Sequence, residues 1–189
     1  MSSDYATDTQ PEHGIQRRII IPVDQSHHSK RAMQWYFDQV SQSDDLAIFV
    51  HIVEPVHPKT IINVAADSIP ALAGSTLRIT EESVNEGKRL CRNCMHEATE
   101  HDVKSRSFLY VDTKPGVALT RAIQELKGDL VVVGNRGVGK LRRTLLGSVS
   151  SHLLHHVTVP VAVVPPPAHR VSVTSEDGSV HKDFVSDLS

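Results

Sequence analysis

The stretch Asp129-Leu-Val-Val-Val-Gly134-Asn-Arg-Gly137-Val-Gly-Lys-Leu-Arg-Arg-Thr-Leu-Leu-Gly147-Ser148-Val-Ser150 decides the fold. It opens as a short apolar run, passes through glycines and cations, and closes where a helical pattern begins. A continuous run of Leu and Val suits a parallel strand covered on both faces. Glycines let the backbone approach oxygens closely, and the free N–H groups of a helix N-terminus favour an anion. Arg136, Lys140, Arg142 and Arg143 add positive charge where a helix dipole is unfavourable to it, unless an anion sits between. The segment therefore reads as strand, phosphate-binding loop, helix.

Two better-known phosphate motifs fail here. Gly134-x4-Gly139-Lys140 starts like a P-loop, but Leu141 stands where a magnesium-binding hydroxyl is needed. Gly137-x-Gly139 starts like a dinucleotide fingerprint, but Arg142 stands at the third glycine position. What remains is the spacing Gly134-x2-Gly137-x9-Gly147-Ser148.

Working outward, apolar runs alternate with helical stretches. The runs are Arg18 to Val23, Leu46 to Val53, Val103 to Val111, Leu130 to Val133 and Val161 to Val164. The third is more polar and suits a sheet edge. Between them, Ser29 to Ser41 aligns Ala32, Tyr36 and Val40, and Thr76 to His101 is long and charged. Gly116 to Leu126 aligns Leu119, Ile123 and Leu126, with Gly128 expected at the C′ position. Ser148 to His156 aligns Val149, Leu153 and Val157. Such alternation predicts an α/β sheet with right-handed crossovers.

Residues 1–16 read as a disordered tail, 17–166 as one nucleotide-binding domain and 167–189 as a flexible tail after Pro165-Pro-Pro167. The stretch from His57 to Gly74 is long for a connection and reads as a lid or surface loop. The net charge of −2 argues against a nucleic-acid binder, and no apolar run is long enough to span a membrane. The polar N-terminus lacks a signal core, so a cytoplasmic protein is expected.

Cys91 and Cys94, the two cysteines, fall inside a helical stretch and read as helix residues one turn apart. His152, His155 and His156 share helical spacing. Without a carboxylate or cysteine partner they read as surface or packing residues, and no metal ligand is assigned.

Ligands of open parallel sheets bind beyond the carboxyl ends of the strands, where the strand order reverses. Strand one ends Pro22-Val23-Asp24-Gln25-Ser26, with His27 and His28 just after it. Asp24 there suits ribose hydroxyls or a metal ion near phosphates; the alternative is a turn or capping acid. Ser26 or Ser29 caps the next helix. Ile52 offers an apolar face for a base, whereas Val53 reads as core. No residue stands out as base or nucleophile, so no catalytic residue is assigned.

These residues resemble the universal stress proteins. The likeness covers about residues 17–166 and rests on Ile21-Pro-Val-Asp24-Gln-Ser26, His51-Ile-Val-Glu-Pro55, Asp129 to Gly134, the Gly134-x2-Gly137-x9-Gly147-Ser148 spacing and Pro160-Val-Ala-Val-Val164. It implies an α/β, Rossmann-like three-layer sandwich around a five-stranded parallel sheet of order 3-2-1-4-5, with ATP and magnesium at the strand ends. Pro22, Val23, Asp24 and Ile52 would surround the adenosine. Gly134, Arg136, Gly137, Gly147, Ser148, Val149 and Ser150 would hold ribose and phosphates. Asn135 departs from the family pattern, where a small hydroxyl residue is common.

The family also implies a homodimer through the last strand. An uncharged edge at 161–164 gives an independent reason for pairing, and the C-terminal tail is the competing cover. The expected function is an ATP-binding stress-response protein acting as a regulatory or protective dimer. The alternatives are a weak magnesium-dependent ATPase, or a chaperone-like dimeric scaffold with incidental nucleotide.

Overall fold

The structure is a computed structural model, and it describes residues 14–55, 78–135 and 147–167. The expected stretches from His57 to Gly74 and from residue 168 onward lie outside the described residues, as do Arg136 and Gly137. Strands β1 (Arg17–Pro22), β2 (Asp45–Val53), β3 (Lys104–Val111), β4 (Leu130–Gly134) and β5 (Val161–Val164) form one sheet in the order β3-β2-β1-β4-β5. Every pairing is parallel. Helices α1 (His27–Gln39), α2 (Glu81–Glu100), α3 (Pro115–Glu125) and α4 (Ser148–His156) alternate with the strands. No helix among the described residues is long and apolar enough to cross a membrane.

The continuous apolar strands follow from burial on both faces. Ile19, Ile20 and Ile21 are all fully buried, yet they belong to different cores. Ile19 and Ile21 join Ala47, Phe49 and Val132 under α1 and α2, against Ala32, Met33, Tyr36, Phe37 and Cys94. Ile20 joins Leu46, Ile48, Val50 and Val131 on the opposite face, against Leu119, Ala122, Ile123 and Leu153 of α3 and α4. Side chains alternate across a strand, so one strand feeds both layers. β3, the more polar run, takes one edge and β5 the other.

A buried carboxylate pins one end of this frame. Asp45, fully buried at the start of β2, accepts from Arg17 Nε (2.7 Å) and Nη2 (2.9 Å). It also accepts from Tyr36 Oη (2.9 Å) and the Gln42 backbone N–H (3.0 Å). Burial and the Asp45 charge together push the Tyr36 phenol up, while the hydrogen bond to Asp45 holds the Arg17 guanidinium above its ordinary value.

Several element ends differ from the sequence expectation; α1, for one, runs His27–Gln39 rather than Ser29 to Ser41. α2 starts at Glu81 rather than Thr76, because the Thr80 hydroxyl accepts from the Ser83 N–H (3.1 Å) and caps the helix there. At the end of α3, Lys127 and not Gly128 takes the left-handed C′ conformation (φ 53°). The Gly128 N–H bonds Ile123 O (2.9 Å) and the Lys127 N–H bonds Gln124 O (3.3 Å), a Schellman turn. Gly128 is needed for a different reason: a Cβ there would overlap the Ile20 side chain. Just before β1, the Gln16 N–H donates to Asp44 O (2.9 Å) and Ile15 packs on the second core.

Candidate functional site

Strands β1, β2 and β4 end together, and α1 leaves from β1 on the opposite side of the sheet from α4. The space between holds a cleft. Pro22, Val23, Asp24, Ile52, Gly134, Gly147, Ser148, Val149 and Ser150 all line it. Nine of the eleven residues expected to bind nucleotide thus share one cleft, and Arg136 and Gly137 fall outside the described residues.

Asp24 is set by a local turn. Its Oδ1 accepts from the Ser26 N–H (2.9 Å) and from Ser26 Oγ (2.5 Å). Its own N–H donates to Ser29 Oγ (3.1 Å). Ser26 is the α1 N-cap, accepting from the Ser29 N–H (3.3 Å). The turn role weighed for Asp24 is therefore present, and it holds an exposed carboxylate at the cleft mouth.

The wall opposite is built differently. α1 and α2 occupy their first N–H groups with the hydroxyls of Ser26 and Thr80. α4 has Gly147 as its N-cap and no side-chain cap bond. Among the described residues no side chain caps this first turn, so its N–H groups can take an external acceptor. Ser148 is exposed beside them, whereas Ser150 is buried and its hydroxyl donates to Gly147 O (3.0 Å). Ser150 shapes the turn that presents the N–H groups.

Gly134 closes the floor. A Cβ at this position would overlap the carbonyl oxygen of His28 in the first turn of α1. Glycine is required because two backbones meet, not because of an unusual φ. Arg31, one turn along α1, donates from Nη2 to Asn135 O (2.7 Å) and Val164 O (3.3 Å). It ties the start of the glycine loop to the end of β5. Burial lowers its pKa.

The side walls are apolar. Val50 and Ile52 of β2 and Pro115 and Leu119 of α3 all line the cleft. His51 Nδ1 donates to Val23 O (2.8 Å), bracing β2 against the end of β1. Gly87 of α2 leaves room for that ring: a Cβ there would lie 2.7 Å from His51 Cδ2. Sequence reasoning missed Pro115, Leu119, Arg31 and the bracing role of His51, since no local motif marks a helix that arrives from elsewhere. Glu54 and His28 also line the cleft, and both flank the strand ends that the sequence had singled out. Among the described residues, no three His, Cys, Asp or Glu side chains converge as a metal site.

The family model described as the Universal stress protein family matches residues 16–165. The chain belongs to that family. A universal stress protein of Mycolicibacterium smegmatis is 31% identical over 150 residues, covering 77% of this chain and 47% of that protein. The chain thus spans about half the length of that relative. Among solved structures, a universal stress protein of Arabidopsis thaliana with AMP bound is similar at TM-score 0.55 and 18% identity, covering 86% of this chain and 99% of that one. The universal stress protein of Archaeoglobus fulgidus in complex with dAMP is similar at TM-score 0.55 and 17% identity, covering 79% of this chain and 98% of that one. The five-stranded parallel sheet with order 3-2-1-4-5 is the universal stress protein fold.

Proposed function

We propose that this universal stress protein binds ATP with magnesium in the β1–β4 cleft and acts as a nucleotide-dependent regulatory or protective dimer in the stress response. One observation carries the reading: Asp24 and the α4 N-terminus, which has no side-chain cap, line one cleft together with the apolar Val23, Ile52 and Leu119. An adenine nucleotide can use all three: apolar surface for the base, a carboxylate for ribose hydroxyls and helix N–H groups for phosphate. Ile52 and Val23 suit the base, Asp24 the ribose hydroxyls, and the Gly147 to Ser150 turn the phosphates. Arg136 and Gly137 belong to the same proposed loop. Bound relatives support the class of ligand, since the Arabidopsis structure holds AMP and the Archaeoglobus one dAMP. Magnesium would arrive bound to the phosphates.

The proposed domain is 17–166, with the two ends as tails, and the proposed compartment is the cytoplasm. Cys91 and Cys94 remain free thiols, which suits a reducing compartment. The dimer is proposed through β5. Val161, Ala162 and Val163 are only partly buried and carry no charge, so this edge favours pairing with a second strand.

Calorimetric titration of the full chain with ATP and magnesium tests the ligand. Saturable heat is expected; no heat with millimolar ATP would sink the proposal. A phosphate-release assay on the same sample separates a binder from a slow hydrolase. Sedimentation of Val163→Lys tests the edge: a dimer that dissociates supports it, and an unchanged dimer removes β5 from the interface.

A further inference from the structure

The guanidinium of Arg31 stands at the junction of β4 and β5. Its Nη2 donates to two carbonyl oxygens at once, Asn135 O (2.7 Å) and Val164 O (3.3 Å). Asn135 directly follows β4, and Val164 is the last residue of β5. The same Val164 oxygen accepts from the Asn135 N–H (2.9 Å), one step past the Gly134 and Val164 register pair. On its other side, Arg31 Nη1 lies 3.4 Å from His28 Nδ1, and His28 lines the cleft. One cation thus reaches a cleft residue, the start of the glycine loop and the edge strand.

The junction is not fully satisfied. Arg31 Nε and Asn135 Oδ1 are both buried without a hydrogen-bond partner. The first is a donor and the second an acceptor. Unpaired buried polar atoms are costly and uncommon, and here they belong to two residues already joined by another bond. Turning the Asn135 side chain toward Nε would pair them, at the expense of the two-carbonyl grip. The same two residues therefore have two bonding arrangements, which is what coupling between distant sites requires of the element that carries it.

We propose that Arg31 and Asn135 form a switch that couples occupancy of the cleft to strand pairing at β5. In one arrangement the guanidinium grips Asn135 O and Val164 O, as in this structure, and fixes the end of β5. In the other, Nε takes Asn135 Oδ1 and the grip on Val164 O is lost. Phosphate held by the loop that Asn135 begins fixes the Asn135 backbone and favours the first arrangement. Nucleotide then tightens the β5 dimer, and by reciprocity the dimer tightens nucleotide. The inference rests on the proposed nucleotide site and β5 interface, and names the residues through which one reports on the other.

Sedimentation of the full chain, with and without saturating ATP and magnesium, gives the dimer dissociation constant in both conditions. Calorimetry on the same sample establishes that nucleotide binds. ATP should lower the dimer constant about fivefold or more, and the NMR signal of the Arg31 Nε–H should move on the same titration. Asn135→Ala removes Oδ1 and keeps the backbone carbonyl. It should keep or raise the melting midpoint, because it deletes an unsatisfied acceptor, and yet cut the effect of ATP on the dimer to less than about twofold. Arg31→Lys, which lacks the planar fork, should lose the effect as well. The inference alone is overturned if ATP binds and the dimer constant or the Arg31 signal stays unchanged. It is overturned too if Asn135→Ala responds to ATP as the unaltered protein does. Absence of heat with ATP overturns the nucleotide reading and this inference with it, and a chain that stays monomeric does the same through the β5 interface.

Discussion

The carbonyl oxygen of His28 lies where a side chain on Gly134 would have to begin. The first turn of α1 and the end of β4 therefore meet backbone to backbone at the floor of the cleft. Gly134→Ala must push these elements apart. Overpacking of this kind costs roughly 1–3 kcal/mol, and here it also displaces the loop that follows. Urea denaturation should show the loss, and nucleotide titration a weaker affinity. A variant with wild-type stability would mean that α1 yields without cost.

The uncapped α4 gives a prediction in which stability and binding move in opposite directions. Gly147→Asp places a carboxylate at the N-cap, where Asp is favoured over Gly by a few tenths of a kcal/mol. The same charge fills the proposed phosphate position and repels the ligand. We expect an equal or higher melting midpoint together with a loss of ATP affinity of tenfold or more. Retained affinity would remove the α4 N-terminus from the binding site.

Asp45 holds Arg17, Tyr36 and the Gln42 backbone at once. Asp45→Ala leaves a buried phenol and a partly buried guanidinium without their acceptor. Breaking one partner of such a cluster costs about 3–5 kcal/mol. Chemical denaturation should register it, while nucleotide affinity in the folded fraction stays unchanged, because the cluster is at the other end of β2 from the cleft.

Lys127 sits at φ 53°, a region that costs a side-chain-bearing residue roughly 1–2 kcal/mol. Lys127→Gly relieves that strain and preserves the Schellman bonds. The greater freedom of glycine in the unfolded chain offsets part of the gain. A modest rise in melting midpoint is the expected outcome, and a fall would show that the lysine side chain contributes a contact worth more than the strain.

Burial pushes the Cys91 thiol up to about 11 and that of Cys94 up to about 12, from an ordinary 9.0. The folded state thus favours the neutral thiols. Below pH 9 both states keep their protons and this stability is fully present. As pH rises past 9 the unfolded thiols ionise while the native ones do not, so the unfolded state binds fewer protons and stability falls. The loss continues until the native thiols titrate, at up to about 1.4 kcal/mol per pH unit for each group. Tyr36, also raised, adds to the same trend. Denaturation at pH 8, 9 and 10 should show the decline. Thiol reagents at pH 8 should label neither cysteine until the protein unfolds, and fast native labelling would contradict the burial.

Much of this protein was legible in the order of its residues. Continuous apolar runs such as Ile19-Ile-Ile21 and Val131-Val-Val133 require cover on both faces, and alternating them with amphipathic helices leads to a parallel sheet. The glycine loop before α4 and the acid after β1 marked the two sides of the candidate site, because both are local arrangements of neighbouring residues. The strand order came with the family likeness that those same motifs carried.

Other relationships depend on residues that only folding brings together. Arg31 meets Asn135 across 104 positions of chain, and His51 meets Val23 across 28. Neither contact leaves a periodic trace, because each is a single bond between elements whose approach is set by core packing. The same holds for Gly128 and Gly134, whose reasons for being glycine are Ile20 and His28. The stacked pair His152 and His156 shows the division within one helix. Their spacing is written in the sequence, but the rotamers that stack them are set by α3 pressing Gly116 against His152.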